Sequence, residues 1–181
     1  LHLSDANITN NKAAGNGGAL HCSQTAFVTI ANSTFSDHEA GQSGGTIYLT
    51  SQASLYCKHS SISKSLATIN GGAIFVSNAS TYLDITHSRL QKGDAINSGG
   101  GVYVSGGSTL QATNTLYTDN IARSTSGGGG GGGAIYAEDT AVVVSTNDRY
   151  KNNRATQGSG GGLYVNDNAE WTCSSCILQN N

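Results

Sequence analysis

Six copies of one short string decide the reading of this chain. The first three are Gly17-Gly18-Ala19-Leu20-His21-Cys22, Gly44-Gly45-Thr46-Ile47-Tyr48-Leu49 and Gly71-Gly72-Ala73-Ile74-Phe75-Val76. The others are Gly99-Gly100-Gly101-Val102-Tyr103-Val104, Gly132-Gly133-Ala134-Ile135-Tyr136-Ala137 and Gly160-Gly161-Gly162-Leu163-Tyr164-Val165. Their spacings are 27, 27, 28, 33 and 28 residues. A second marker keeps the same step: an apolar residue followed three later by Asn or a small substitute, at Ile8/Asn11, Phe35/His38, Ile62/Ser65, Leu90/Gly93, Tyr117/Asn120, Tyr150/Asn153 and Leu178/Asn181. Two positions beyond that slot stand Ala13, Ala40, Ala67, Ala95, Ala122 and Ala155. Three markers in phase make a repeat, and repeats of this length stack into solenoids.

The repeat unit is built from short β-branched and aromatic runs, with no helical periodicity. A third run completes it: Val28-Thr29-Ile30, Leu55-Tyr56-Cys57, Leu83-Asp84-Ile85, Leu110-Gln111-Ala112 and Trp171-Thr172-Cys173. Three strands per coil of about 27 residues predict an all-β, right-handed parallel β-helix of about six coils, the hand following the crossover rule. At about 4.8 Å per coil the column is roughly 30 Å long. Residues 1–181 read as one such segment, with 124–133 as a flexible Gly-rich turn that accounts for the 33-residue step. Leu1 enters in mid-coil and Asn181 stops at the Asn slot, so the sequence reads as an internal piece of a longer chain.

Files of like residues follow from stacking. Leu20, Ile47, Ile74, Val102, Ile135 and Leu163 fall in one inward file, and Cys22, Leu49, Val76, Val104, Ala137 and Val165 in the next. The Ala file marks a tight inner bend, where a larger side chain would overpack. The glycine pairs mark turns at positive φ. Asp5, Asn32, His59, His87, Asn114 and Asn147 form a polar file, expected to hydrogen-bond from coil to coil at a bend. The absence of proline agrees with strands bonded on both sides.

Composition narrows the function. With 11% charged residues and a net charge of −2, the chain lacks the basic excess of a nucleic-acid or anionic-membrane binder. No apolar run is long enough to span a bilayer. The pairing of Gly-Gly-Ala-Ile/Leu/Val with Phe-x-x-Asn resembles the repeats of the chlamydial polymorphic outer membrane proteins. Phe35 keeps the Phe of that motif, and Asn11, Asn120, Asn153 and Asn181 keep its Asn. Those proteins are adhesin-like autotransporter passengers, and related repeats occur in surface proteins of other microbes. The resemblance runs from Ile8 to Asn181 and implies a β-helix at the cell surface or outside the cell.

The main candidate site is the outward file of the Gly-Gly strand, Tyr48, Phe75, Tyr103, Tyr136 and Tyr164 with His21 at its head. Alternation puts these rings on the surface, where they can stack on sugar faces or anchor another chain. Replacing Tyr103 and Tyr136 with Ala is then expected to abolish binding and leave the fold intact. Stacked rings also stabilise a parallel sheet on their own account. Asp139 over Asp167 is a weak candidate Ca²⁺ pair, and a solvated turn is the better explanation. Sequons at Asn7, Asn32 and Asn78 are candidate glycosylation sites, Asn32 being disfavoured by its place in the polar file. Cys173 and Cys176 are spaced to close a bend disulfide, and Cys22 and Cys57 fall on inward files, as buried thiols or a cross-core bridge.

No motif calls for a cofactor. The glycine run lacks the Lys-Ser/Thr ending of a phosphate-binding loop. The expected role is a rigid extracellular surface or filament protein, an adhesin-like glycoprotein whose partners are copies of itself, neighbouring segments or glycans. A polysaccharide-active lyase or hydrolase is the alternative, but the outward file is aromatic rather than charged, which argues against an enzyme. An ice-binding face would need a regular Thr-x-Thr file, and Thr29, Tyr56, Asp84, Gln111 and Thr172 do not supply one.

Overall fold

A computed structural model describes residues 1–124 and 130–181. Among them every regular element is a strand, and there is no helix long and apolar enough to cross a membrane. The strands pair in parallel, each with its counterpart one coil away, so the chain is a β-solenoid of about six turns. A first sheet of seven strands runs from His2–Ser4 through Phe27–Ala31, Ser54–Lys58, Tyr82–Thr86, Thr109–Thr113 and Val142–Thr146 to Glu170–Ser174. Within each coil it leads into a second sheet that carries the Asn slot and the Ala file. The Gly-Gly strands then form a third sheet of six.

The register is that of the repeat. Leu20 pairs with Ile47, Ile47 with Ile74, Ile74 with Val102, Val102 with Ile135 and Ile135 with Leu163. Ala13 through Ala155 pair in unbroken succession, and Ala40, Ala67, Ala95 and Ala122 are fully buried. The inward files of the three sheets meet in one core that includes Leu49, Leu55, Ile62, Ile74, Leu83 and Leu90. Within it Phe35, Ile62, Leu90, Tyr117 and Tyr150 form one file, and the rings of Tyr117 and Tyr150 stack at 4.9 Å.

The two glycines of each pair serve different ends. Gly71 sits at φ +66°, the left-handed region that side chains disfavour. Gly72 has no such need. A Cβ there would run into the carbonyl oxygen of Gly100 and stand 2.5 Å from the Asp94 nitrogen, so glycine is required by the approach of the next coil.

The corners differ from the expectation in an instructive way. Asp5, Asn32, His59, His87, Asn114 and Asn147 all have φ between +48° and +55°, so this file does make the bend. Within the file one coil-to-coil side-chain bond forms, between Asn114 Nδ2 and His87 Nε2 at 3.2 Å, while the repeated ladder is made by the residue after it: Ser33, Ser60, Ser88, Thr115 and Asp148, all buried. The Ser33 N–H donates to Ser60 Oγ at 3.1 Å, Ser60 N–H to Ser88 Oγ at 3.1 Å and Thr115 N–H to Asp148 Oδ1 at 2.8 Å. A left-handed residue turns the backbone away from its neighbour, and the following N–H would be orphaned in the interior without a side-chain acceptor.

A second corner repeats the device. Asn10, Asp37, Lys64, Lys92, Asp119, Asn152 and Asn180 have φ from +51° to +61°, and each precedes the Asn slot. Asn153 Oδ1 accepts the N–H of Asn120 at 3.1 Å, while Asn153 Nδ2 donates to the Tyr117 carbonyl at 3.0 Å. Asn181 Oδ1 accepts the N–H of Asn153 at 2.9 Å, and its Nδ2 donates to the Tyr150 carbonyl at 2.9 Å. His38 does the same with its ring: Nδ1 accepts the Asn11 N–H and Nε2 donates to the Ile8 carbonyl, each at 3.1 Å. This pattern assigns the Nε2–H tautomer. Burial holds the His38 ring below the usual imidazole range, partly offset by these backbone bonds.

Candidate functional site

The outward residues of the third sheet stack as the register demands. Ring centroids lie 4.8 Å apart for Tyr48 and Phe75, 5.0 Å for Phe75 and Tyr103, and 5.2 Å for both Tyr103–Tyr136 and Tyr136–Tyr164. The planes of the first three pairs are within 8° of parallel. His21 joins at 4.9 Å but tilts by 58°.

The expectation that the whole file lies on the surface is corrected. Tyr48, Phe75 and Tyr164 are partly exposed, but Tyr103 and Tyr136 are only 7% exposed. Both of their hydroxyls donate to one carboxylate, that of Glu138, with Tyr136 at 2.8 Å from Oε2. These three side chains line one side of a polar hollow of about 190 Å³, whose other walls are Asn70, Asn97, Ser98, Ser124 and Gly130. Burial, and then the neighbouring Glu138 carboxylate, push both phenols far above the ordinary tyrosine range. Tyr103 and Tyr136 are therefore anchoring groups of the wall. The exposed parts of the strip are its two ends.

The remaining candidates are distributed over the coils. Asp139 and Asp167 are both exposed at the turn after the Gly-Gly strand, with φ of +52° and +45°, and the Thr140 N–H donates to the Asp167 carbonyl at 3.2 Å. Among the described residues no group of three His, Cys, Asp or Glu side chains is placed to hold a metal. Asn7 and Asn78 are exposed, on a strand and at a turn respectively. Asn32 is exposed as well: the buried polar rung beside it is Ser33, so the reason for disfavouring this sequon does not hold. Cys173 and Cys176 are joined across the last corner, with Cα atoms 6.1 Å apart. Cys22 and Cys57 are free and buried, which excludes the cross-core bridge, and burial pushes the Cys57 thiol up to about 11.

Part of the Gly-rich turn, residues 125–129, lies outside the described residues. From Gly131 onward the segment is regular: Gly131 bridges Ser159, and the Gly132 and Gly133 N–H groups donate to Ser159 and Gly160.

A groove missed by the sequence reading follows the first corner along the solenoid. It is lined by Asn32, His59, His87, Arg89 and Asn114 with the intervening Ser and Thr residues, and encloses about 420 Å³. The His59 and His87 rings stack at 5.1 Å, and Asn114 Nδ2 lies 3.2 Å from His87 Nε2. The signal lies in the polar file Asn32, His59, His87 and Asn114, whose side chains line this groove.

Residues 5–23 match the family profile described as the Chlamydia polymorphic membrane protein (Chlamydia_PMP) repeat. No curated protein and no solved structure matches the chain. A repeat of this type on a β-solenoid fits an autotransporter-like protein of the outer membrane or cell surface.

Proposed function

We propose that the chain forms part of an adhesive surface protein, in which the solenoid is a stiff spacer and its outward files make the contacts. The contact surface is the accessible end of the aromatic strip, Tyr48 and Phe75, and its partner is a glycan or another surface chain. The observation that carries this reading is the parallel stack of Tyr48 and Phe75 at 4.8 Å on a strand that leaves both rings partly open. Flat, rigid rings lose little conformational freedom on binding and offer faces to sugars or to apolar side chains. The reading includes no catalytic step.

The test is a glycan-array measurement on the chain and on the Tyr48→Ala/Phe75→Ala variant, with thermal unfolding followed in parallel. The account expects binding to fall at least about tenfold, as for loss of two aromatic contacts, with a cooperative unfolding transition retained. Equal binding by both proteins would remove the strip from the reading.

A further inference from the structure

The geometry points to the corner groove as a second binding site, for an extended acidic polysaccharide carrying sulfate or carboxylate groups. The groove lined by Asn32, His59, His87, Arg89 and Asn114 does not stop at Asn114. That residue and Leu116 also line a second hollow of about 330 Å³, which continues past Asn147 and Arg149. Together they form a single channel parallel to the solenoid axis, crossing coil after coil.

Its polarity is one-sided. The lining side chains are imidazoles, amides, hydroxyls and two guanidiniums, with Leu116 and Ile177 as apolar members and no carboxylate. This corner carries two acids: Asp148 is fully buried on the inner side, and Asp5, exposed at the head of the file one coil before Asn32, lies outside the lining of both hollows. Three surface cations are paired with acids across coils, Lys12 with Glu39 at 2.7 Å, Lys64 with Asp37 at 3.4 Å, and Arg123 with Asp94, and the two of the channel are not among them. Arg89 and Arg149 are exposed, and among the described residues neither has an ion-pair partner. They share one file through Leu116, so they stand two rungs, roughly 10 Å, apart on the same side of the channel.

The corner's backbone cannot serve as the anion receptor, because its N–H groups are already used. Those of His59 and His87 donate to Thr86 and Thr113 at 3.0 and 2.9 Å. Recognition therefore falls to side chains. Guanidinium forks suit the planar carboxylate and the sulfate oxygens, and the stacked imidazoles and flanking amides supply further donors between them. Two guanidiniums in a chain of net charge −2 are few for a nucleic acid, whose affinity rests on neutralising many phosphates. An acidic glycan, with charged groups spaced along a stiff backbone, matches the channel better.

Isothermal titration with a heparin-derived octasaccharide tests this on the whole chain, alongside the R89Q/R149Q and Y48A/F75A variants. The octasaccharide is expected to bind, to weaken as salt is raised, and to lose at least about tenfold in affinity in R89Q/R149Q. Y48A/F75A should bind it normally, which separates this site from the aromatic strip. A hyaluronan oligosaccharide reports whether carboxylates alone suffice, and its loss in R89Q/R149Q supports the site equally. Unaltered affinity in R89Q/R149Q with an unchanged melting temperature would overturn the proposal. So would the absence of octasaccharide binding, or tighter binding of an oligothymidylate.

Discussion

At one rung of the first corner a carboxylate stands where its neighbours have hydroxyls. Asp148 follows Ser33, Ser60, Ser88 and Thr115 in the buried file and takes the Thr115 N–H on Oδ1, but its Oδ2 has no partner. Burial raises this carboxyl to about 6, the Thr115 N–H opposing the shift. Because the folded value lies above the unfolded one, the folded state keeps a proton that the unfolded chain has released. The associated stability is complete below about pH 4 and is lost as pH rises through about 6. Asp148→Asn retains the acceptor and removes the charge. It is expected to unfold at higher denaturant than the parent above pH 7, by at most about 3 kcal/mol, with the gap closing near pH 4. His38, held neutral by burial, loses stability in the opposite direction on acidification, but it is common to both proteins and cancels in the comparison. A gap that stays constant across pH would contradict the assignment.

The element that sets the candidate site is the Gly-Gly strand, and its outward file divides into a covered middle and open ends. Tyr103→Ala removes a ring that is 7% exposed together with one of the two hydroxyls bonded to Glu138. In urea unfolding it should cost about 3–5 kcal/mol, as for a buried aromatic cut to alanine, whereas Phe75→Ala should cost clearly less. Equal midpoints for the two variants would show the middle of the strip to be as open as its end. The stacking of this file was legible in the sequence, because alternation and the repeat fix which rings meet. Its burial was not. The two phenols share the carboxylate of Glu138, which stands one residue past the strand in a single coil and has no acidic counterpart in the others.

Across the whole molecule, what the sequence declared were the positions where only one residue type works. Gly71 needs its positive φ, Gly72 its bare backbone, and the Ala file its small side chain. These survive in every coil and so reveal the period. The corner ladders were hidden because the requirement there is for an acceptor near the axis, which Ser, Thr, Asp, Asn or a histidine ring can each meet. The Asn slot is visible as a marker, but its duty of repairing the backbone ladder is not, because His38 makes the same two bonds with a different side chain.

The central claim is that distance along this protein counts coils rather than residues. Asn7, Thr34, Ser61, Arg89, Leu116, Arg149 and Ile177 occupy successive rungs of one file. Nitroxide labels on the exposed positions Asn7, Thr34, Arg149 and Ile177 allow pulsed electron-spin distance measurement between them. The account predicts separations near 19 Å for Thr34–Arg149, about 24 Å for Asn7–Arg149 and about 29 Å for Asn7–Ile177, a rise of about 4.8 Å per rung. Broad distributions, or separations that fail to increase by one even step per coil, would contradict it.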